Sequence, residues 1–232
     1  MPKESANLME KAYTLLKAMI FKQKIGPGQK IIYRDLSKRL NMSKTPILYA
    51  LGRLEQEGFV TLEPNLGYFV KEIDLKELEN SFGVREALEV YAIGLAVKNQ
   101  NDADIKRLEE KIAEHRHYQN PVYDRKKLVL DAAIHLQIAQ MYRNKFLVKQ
   151  LHHVLEHHYL RYRAELMNPS RMSVAPLEHA EILTRIKKKD YAGAVRTIRT
   201  HIGKDKENML SSFSKEEDLS ELSIPLEYNF SE

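Results

Sequence analysis

The spacing of hydrophobic residues divides this chain into two parts. From residue 77 to residue 211 apolar side chains recur every three or four positions, which predicts a bundle of amphipathic helices. Residues 1–72 contain three shorter helical patterns followed by two strand-like runs around a turn, which predicts three helices and a β-hairpin. Residues 73–76 are predicted to be a linker and residues 212–232 an acidic tail. The predicted fold class is therefore mainly α.

The third N-terminal helix has clear start and stop signals. Ser43 is placed to be its N-cap, Pro46 falls in the first turn, and Gly58 ends the helix. Its apolar stripe consists of Ile47, Ala50, Leu51 and Leu54. Strand-like runs at residues 59–62 and 68–72 follow, and Pro64, Asn65 and Gly67 between them favour a turn. This predicts a helix that leads directly into a hairpin.

Positive charge is concentrated in the same part of the chain. Residues 1–72 hold 12 Lys and Arg against 7 Asp and Glu, which accounts for the whole formal net charge of +5. A surplus in one place favours a polyanion such as nucleic acid. The absence of cysteine excludes disulfides and thiolate metal sites. Because no apolar run reaches membrane-spanning length and MPKESANLME lacks a signal-peptide core, we expect a cytoplasmic protein without a membrane partner.

The polar face of the third helix is suited to DNA. In a helix-turn-helix the N-terminal residues of this face meet base edges in the major groove, which favours Lys44 and Thr45 here. The helix N-terminus also suits a phosphate, to which Ser43 can donate. The predicted DNA-binding residues are Arg34, Ser43, Lys44, Thr45, Tyr49, Arg53 and, in the hairpin, Gly67.

These motifs resemble those of the GntR transcription regulators. The matching segments are Pro27-Gly28, Ser43-Lys44-Thr45-Pro46, Ala50-Leu51, Arg53-Leu54-Glu55, Glu57-Gly58 and Gly67-Tyr68-Phe69-Val70. The resemblance implies a winged helix-turn-helix domain. Lys44 stands where the family usually has Arg, and Leu48-Tyr49 where it has Arg-Glu. Because neither Lys44 nor Leu48 can offer the bidentate fork of arginine to guanine, we expect an operator sequence that differs from the usual one.

The C-terminal part is predicted to be an all-α bundle. Breaks in the helical pattern fall near residues 101–102, 120–121, 143–144, 168–169 and 189–190. Each helix carries an apolar stripe that is predicted to be buried. The stripes are Val84, Leu88, Tyr91, Leu95; Ile105, Leu108, Ile112; Leu147, Leu151, Val154, Leu155; and Ile182, Leu183, Ile186.

All nine histidines lie in this part. Asp131 and His135 are four residues apart and share a helical face with apolar residues, so the carboxylate needs a cation, a hydrogen-bond network or water. His179 and His201 also lie among apolar neighbours. If the helices meet, one carboxylate and three imidazoles suit Zn²⁺, with Ni²⁺ or another divalent transition metal as the alternative. The histidines with polar neighbours are predicted at the surface: His115, His117, His152, His153 and His157.

This second part resembles the all-helical FCD effector domain of one GntR subfamily. The matching residues are Val84-Arg85-Glu86-Ala87-Leu88-Glu89, Asp131, His135, Asn144, His179 and His201. The resemblance implies that Asp131, His135, His179 and His201 bind a divalent metal that helps to hold a small organic-acid effector. It also makes Arg85 the candidate partner of the effector carboxylate. His158 and Tyr162 are candidates for lining the pocket, with ordinary core packing as the alternative.

The leading functional prediction is a ligand-responsive, non-enzymatic transcription regulator. A homodimer would place two winged helices on the half-sites of an inverted repeat of double-stranded DNA. Repression is the commoner outcome in the family. One alternative is a metal-dependent hydrolase with a nucleic-acid-binding accessory domain, although no HExxH motif is present. The other is a metal-free structural DNA-binding protein.

Overall fold

The structure is a computed structural model that describes residues 3–72, 74–120, 124–160 and 167–221, and omits the side chains of residues 3–6, 160 and 214–221. The elements are α1 (Lys3–Phe21), β1 (Lys30–Ile31), α2 (Tyr33–Leu40), α3 (Lys44–Gln56), β2 (Val60–Glu63), β3 (Gly67–Val70), α4 (Leu75–Asn99), α5 (Asp102–His117), α6 (Arg125–Gln140), α7 (Lys145–Leu160), α8 (Arg171–Lys187) and α9 (Tyr191–Glu221). This confirms the mainly α prediction.

The described residues form two compact units. The first runs as far as Leu78 and includes the end of α7 from Glu156, and the second contains the other described residues. The first unit has three helices and a three-stranded antiparallel sheet in the order β1-β3-β2. Its core includes the predicted stripe of α3, which is fully buried: Ile47, Ala50, Leu51 and Leu54. The unit is a winged helix-turn-helix, as predicted.

The wing differs in detail from the prediction. Its strands are Val60–Glu63 and Gly67–Val70, paired so that Thr61 faces Phe69. The backbone at Gly67 has φ of +103°, which L side chains rarely adopt, and this requires glycine there. Strand β1 was not predicted, because a two-residue strand has too short a pattern to recognise.

Side-chain caps explain several helix starts in the second unit. Asn101 Oδ1 accepts from Asp104 N at the start of α5, and Asp124 accepts from Lys127 N at the start of α6. Asn144 Oδ1 accepts from Leu147 N at 3.1 Å. The helix breaks occur where the polar pairs predicted them, although Pro121 lies outside the described residues. Ser43 occupies the N-cap position of α3, but its side chain makes no cap hydrogen bond.

Two of the predicted domain boundaries fall inside helices. Helix α4 already begins at Leu75, inside the predicted linker, with Asp74 Oδ1 accepting from Lys76 N at 2.7 Å. Helix α9 continues to Glu221, so the first part of the predicted tail is helical, and residues 222–232 lie outside the described residues. Within the described ranges, no helix has the length and apolar character needed to cross a membrane.

One predicted stripe is not the buried face of its helix. On α4, Val84 is 51% exposed and Tyr91 is 55% exposed, while Leu88 and Leu95 are half-buried. The buried face instead carries an ion pair, Arg85 with Glu89. The prediction was wrong because hydrophobicity alone cannot show that two charged side chains find partners inside the bundle. The predicted stripes of α5, α7 and α8 do face the core at Leu108, Ile112, Leu147, Leu151, Leu155, Ile182 and Ile186.

Candidate metal centre and DNA-binding surface

Three helices bring the four predicted metal ligands together. Helix α6 supplies Asp131 and His135, α8 supplies His179, and α9 supplies His201, and all four are buried. One potential ligand atom from each lies within 4.8 Å of the others. This spread is close to the roughly 4 Å that separates two ligands on opposite sides of one ion, given bonds of about 2.1 Å.

Two carboxylates orient the imidazoles. Glu89 Oε2 lies 2.5 Å from His135 Nδ1, and Glu178 Oε2 lies 2.8 Å from His201 Nδ1. A proton on each Nδ1 can therefore be donated to a carboxylate, which leaves the Nε2 lone pairs for a metal. The two Nε2 atoms lie only 3.2 Å apart. Carboxylates in this position also make a coordinating imidazole more basic.

Burial and ion pairing shift the titration of these groups. Burial opposes ionisation of Glu89, but the charges of His135 and Arg85 outweigh it and lower its pKa to about 2. Burial likewise opposes protonation of His135, yet Glu89 and Asp131 outweigh it and raise its pKa to about 9, so a metal ion that binds Nε2 must displace a proton from it. Burial together with the charge of His201 lowers the pKa of His179 well below its usual value. His179 is therefore held neutral, the form that binds metals.

The four residues fit a divalent metal ion. Neither ring nitrogen of His179 has a hydrogen-bond partner among the described residues, although the ring is fully buried. Its Nε2 lies 3.4 Å from Asp131 Oδ1. A buried imidazole without a hydrogen bond is costly, and a metal ion between this nitrogen and the carboxylate would satisfy both groups.

Arg85 lies beside this cluster but already has anionic partners. Its side chain is fully buried, with Nε 2.6 Å from Glu89 Oε1. Its Nη2 lies 3.2 Å from His135 Nε2 and 3.4 Å from Asp205 Oδ2. The structure thus places the predicted effector-binding arginine next to the metal ligands, inside an ion-pair network. Its role toward an effector stays a prediction.

Sequence reasoning missed a second arginine. Arg171 is 7% exposed, and its guanidinium binds Glu178 at 2.8 Å and Asp205 at 2.5 Å. Although burial opposes it, the charge of Asp205 and bonds to Glu178 raise the pKa of Arg171. Lys204 donates to the other oxygen of Glu178 at 2.6 Å. Glu178 is therefore held by Arg171, Lys204 and His201 together, which is the arrangement of a carboxylate that fixes the orientation of the His201 ring.

Two predictions about the C-terminal part remain to be compared with the structure: which histidines lie at the surface, and which residues line the effector pocket. His115 was predicted at the surface but is fully buried in α5, with its ring centre 5.2 Å from that of His179. Burial lowers its pKa to about 4. His117 and His152 are exposed, and His153 and His157 are half-buried. His158 is fully buried in α7, while Tyr162 lies outside the described residues, so their pocket-lining roles stay predictions.

The predicted DNA-binding face of the first unit is accessible. Arg34, Ser43, Lys44, Thr45 and Tyr49 are all exposed. The ammonium of Lys44 lies 4.8 Å from the ring centre of Tyr33, which places a cation at the first turn of α3. The wing presents a half-buried Gly67. This arrangement suits a recognition helix and wing, and the residue roles stay predictions.

Arg53 is engaged within its own domain. Its guanidinium lies 2.7 Å from Glu10 and 3.3 Å from Glu57, and 3.6 Å above the ring centre of Tyr13. These contacts tie α3 to α1. A contact between Arg53 and DNA would require it to leave at least part of this network, so its predicted role is less favoured than that of Lys44.

Comparisons with known proteins cover both units. Residues 8–70 match the bacterial regulatory proteins of the gntR family, and residues 80–204 match the FCD domain. The uncharacterized HTH-type transcriptional regulator YdhC of Bacillus subtilis strain 168 is 25% identical over 201 residues, which is 85% of this chain and 88% of that protein. The HTH-type transcriptional repressor RspR of Escherichia coli K12 is 23% identical over 83% of this chain and 85% of that protein.

Solved structures share the same fold. McbR/YncC of E. coli aligns with a TM-score of 0.76 at 22% identity, over 89% of this chain and 98% of that chain. A GntR transcriptional regulator from Rhodococcus sp. RHA1 aligns with a TM-score of 0.70 at 17% identity, over 87% of this chain and 97% of that chain. The chain therefore belongs to the GntR family of DNA-binding transcription regulators and carries an FCD domain as its second unit.

Proposed function

We propose that this regulator responds to a small carboxylate effector held at a divalent metal in its FCD domain. The observation that carries the proposal is the buried cluster of Asp131, His135, His179 and His201, in which two imidazoles are oriented by carboxylates. Burying three imidazoles around one carboxylate costs desolvation free energy, and a purely structural bundle would obtain more stability from apolar side chains at these positions. Arg85 and Arg171 beside the cluster would supply cations for a carboxylate ligand.

The residue types favour Zn²⁺. Three imidazoles and a carboxylate are borderline ligands that suit Zn²⁺, and Ni²⁺ is the main alternative. When bound, such an ion would supply a positively charged position that accepts a carboxylate oxygen. His135, His179 and His201 would hold it through Nε2, while Glu89 and Glu178 keep two of these rings oriented.

The proposed output is a change in operator binding. An effector can alter DNA affinity only if it binds one conformation of the protein more tightly than another. We propose repression of genes next to an inverted-repeat operator, a mode supported by the name of the related repressor RspR. The proposed place of action is the cytoplasm, where operator DNA lies.

The combined proposal is tested on the purified protein by native mass spectrometry, which reads metal, retained ligand and oligomeric state together. A metal-loaded dimer is expected. Mobility-shift titration of operator DNA with metal-loaded protein, repeated in the presence of acetate, succinate and other small carboxylates, then tests the response. A dimer that binds DNA but holds no metal after Zn²⁺ or Ni²⁺ is added would leave only the metal-free alternative.

Replacing Lys44 with Ala should weaken specific operator binding by roughly 10- to 150-fold, because a hydrogen bond made by a charged group is worth about 1.5–3 kcal/mol. The exposed position of Lys44 at the first turn of α3 is the reason for choosing it. The measurement is a mobility-shift titration at fixed salt. Lys106→Ala removes the same charge from exposed α5 and should leave affinity unchanged. Equal affinities for the Lys44 variant and wild type would exclude Lys44 from recognition.

The apolar stripe of α4, in which Val84 and Tyr91 are exposed and Leu88 and Leu95 are half-buried, is the proposed dimer contact. A stripe at this spacing, repeated on a second copy, would give a self-complementary apolar interface. Changing Val84 and Tyr91 together to Asp should convert the dimer to a monomer at micromolar concentration, measured by sedimentation velocity. Phe146→Asp, at a side chain that is 82% exposed on α7, is the matched control. Persistence of the dimer in the double variant would place the interface elsewhere.

A further inference from the structure

A carboxylate of the protein itself occupies the position suited to an effector carboxylate. Asp205 lies one turn after His201 on α9, and its Oδ2 is 3.3 Å from His201 Nε2. The same oxygen is 3.4 Å from Arg85 Nη2, and Oδ1 is 2.5 Å from Arg171 Nη2. Asp205 therefore contacts two buried arginines and the metal-facing nitrogen of a proposed ligand.

These are the contacts that an external carboxylate would need at this site. Charge-assisted hydrogen bonds to guanidinium groups are about twice as strong as neutral ones, and here both guanidinium groups are already bound by Asp205. A second carboxylate placed on the same arginines would repel the first at close range in a poorly solvated site. Occupation of these arginines by an effector thus requires that Asp205 leave them.

Asp205 is only partly shielded from solvent. Its side chain is 14% exposed, whereas those of Glu89 and Asp131 are 3% and 5% exposed. A surface groove of about 390 Å³ is lined in part by Arg171, the ion-pair partner of Asp205, and by Lys204, its neighbour in the sequence. A second groove of about 390 Å³ reaches His201 and Glu178 between α8 and α9. The Asp205 carboxylate is thus more accessible to water than Glu89 and Asp131.

We infer that Asp205 is an internal competitor that holds Arg85 and Arg171 until a small carboxylate ligand displaces it. The inference rests on the proposed function, because it concerns the same metal-centred site. Competition by Asp205 sets the ligand concentration that is needed to occupy the site. When the ligand displaces Asp205, α9 loses its ion pairs with Arg85 of α4 and Arg171 of α8, which links ligand binding to the position of α9. The ligand class is a small mono- or dicarboxylate, since the groups that Asp205 occupies are two guanidinium groups beside the metal ligands.

The test is calorimetric titration of acetate and of succinate into the full-length Zn²⁺-loaded protein and into Asp205→Asn. Asn keeps the shape of the side chain and removes the competing charge, so we expect the variant to bind the better of the two anions about tenfold more tightly. Glu110→Gln is the matched control, because it removes one negative charge from an exposed position on α5 and should bind as wild type does. Zn²⁺ content and circular dichroism are measured on every sample.

Equal anion affinity in Asp205→Asn and wild type would overturn the competitor role and leave the carboxylate site intact. Loss of Zn²⁺ or weaker anion binding in the variant would also overturn it, since Asp205 would then be a metal ligand or a ligand-binding group. If neither protein binds either anion, both this inference and the proposed effector class fail. Should the Asn variant not fold, Asp205→Ser carries the same expectation of tighter binding and the same criteria.

Discussion

His179→Ala is expected to lower the affinity of the protein for Zn²⁺ by more than about 100-fold, since even residues that only orient metal ligands contribute 10- to 100-fold. His179 is fully buried and its nitrogens have no hydrogen-bond partner among the described residues, so the imidazole contributes to the site mainly through the metal. Asp131→Ala should show a comparable loss, because it removes the only carboxylate of the four-residue cluster. Competition with a fluorescent zinc chelator measures both affinities.

A graded series separates ligands from orienting groups. Glu178→Gln leaves all four ligands in place and weakens the acceptor for His201 Nδ1, so its loss should be about 10- to 100-fold. His117→Ala, at an exposed position on α5, should bind Zn²⁺ as wild type does. Retention of full affinity in both His179→Ala and Asp131→Ala, in variants whose helical content is unchanged, would exclude the proposed metal site.

The sequence predicts the components of this site better than their assembly. The i, i+4 spacing puts Asp131 and His135 on one face of a helix whatever else the chain does. That α8 and α9 bring His179 and His201 to the same place depends on helix packing, which periodicity does not encode. The resemblance to FCD domains supplied that step. The partners Glu89, Arg171 and Asp205 were missed because each acts through contacts between helices.

The error at His115 was avoidable. Its neighbours Glu114 and Arg116 made the segment look polar, but Leu108, Ile112 and His115 follow the i, i+4, i+7 spacing of one helical face. All three are buried. The identities of neighbours in sequence therefore say less about burial on a helix than the residues three, four and seven positions away. The same spacing of three, four and seven residues misplaced Tyr91. On α4 it follows the apolar stripe of Val84 and Tyr91, which is exposed, whereas the face that carries Arg85 and Glu89 is buried.

The first unit shows where local signals suffice. The cap position of Ser43, the stripe of α3 and the turn residues around Gly67 all act over a few residues, and the structure has the helix and hairpin that they predict. These signals do not predict the edge strand β1. It pairs with β3 through only Lys30 and Ile31, which is too short a segment to have a recognisable pattern. The engagement of Arg53 by Glu10 is another long-range contact that no local pattern contains.

Arg85→Leu should destabilise the metal-free FCD domain by about 3–5 kcal/mol, the cost of leaving buried charges without their partner. The change puts an apolar side chain at this buried position and removes the cation from Glu89, whose side chain is 3% exposed, and from Asp205. Urea denaturation followed by circular dichroism measures the free energy of unfolding. Arg199→Leu, at an ion pair whose arginine is 57% exposed and whose partner Glu86 is 44% exposed, should change it by no more than about 0.5 kcal/mol.

The double variant Arg85→Leu/Glu89→Leu decides whether the pair is retained for stability or for ligand binding. Removing both charges should recover most of the lost stability, since apolar residues of similar volume often replace a buried ion pair without cost. A stable double variant that still holds Zn²⁺ but no longer binds carboxylates would show that the buried arginine is retained for its ligand. Were Arg85→Leu alone as stable as wild type, the ion-pair network around Arg85 would not hold α4 to the bundle, and Arg85 would be available to an effector at little cost.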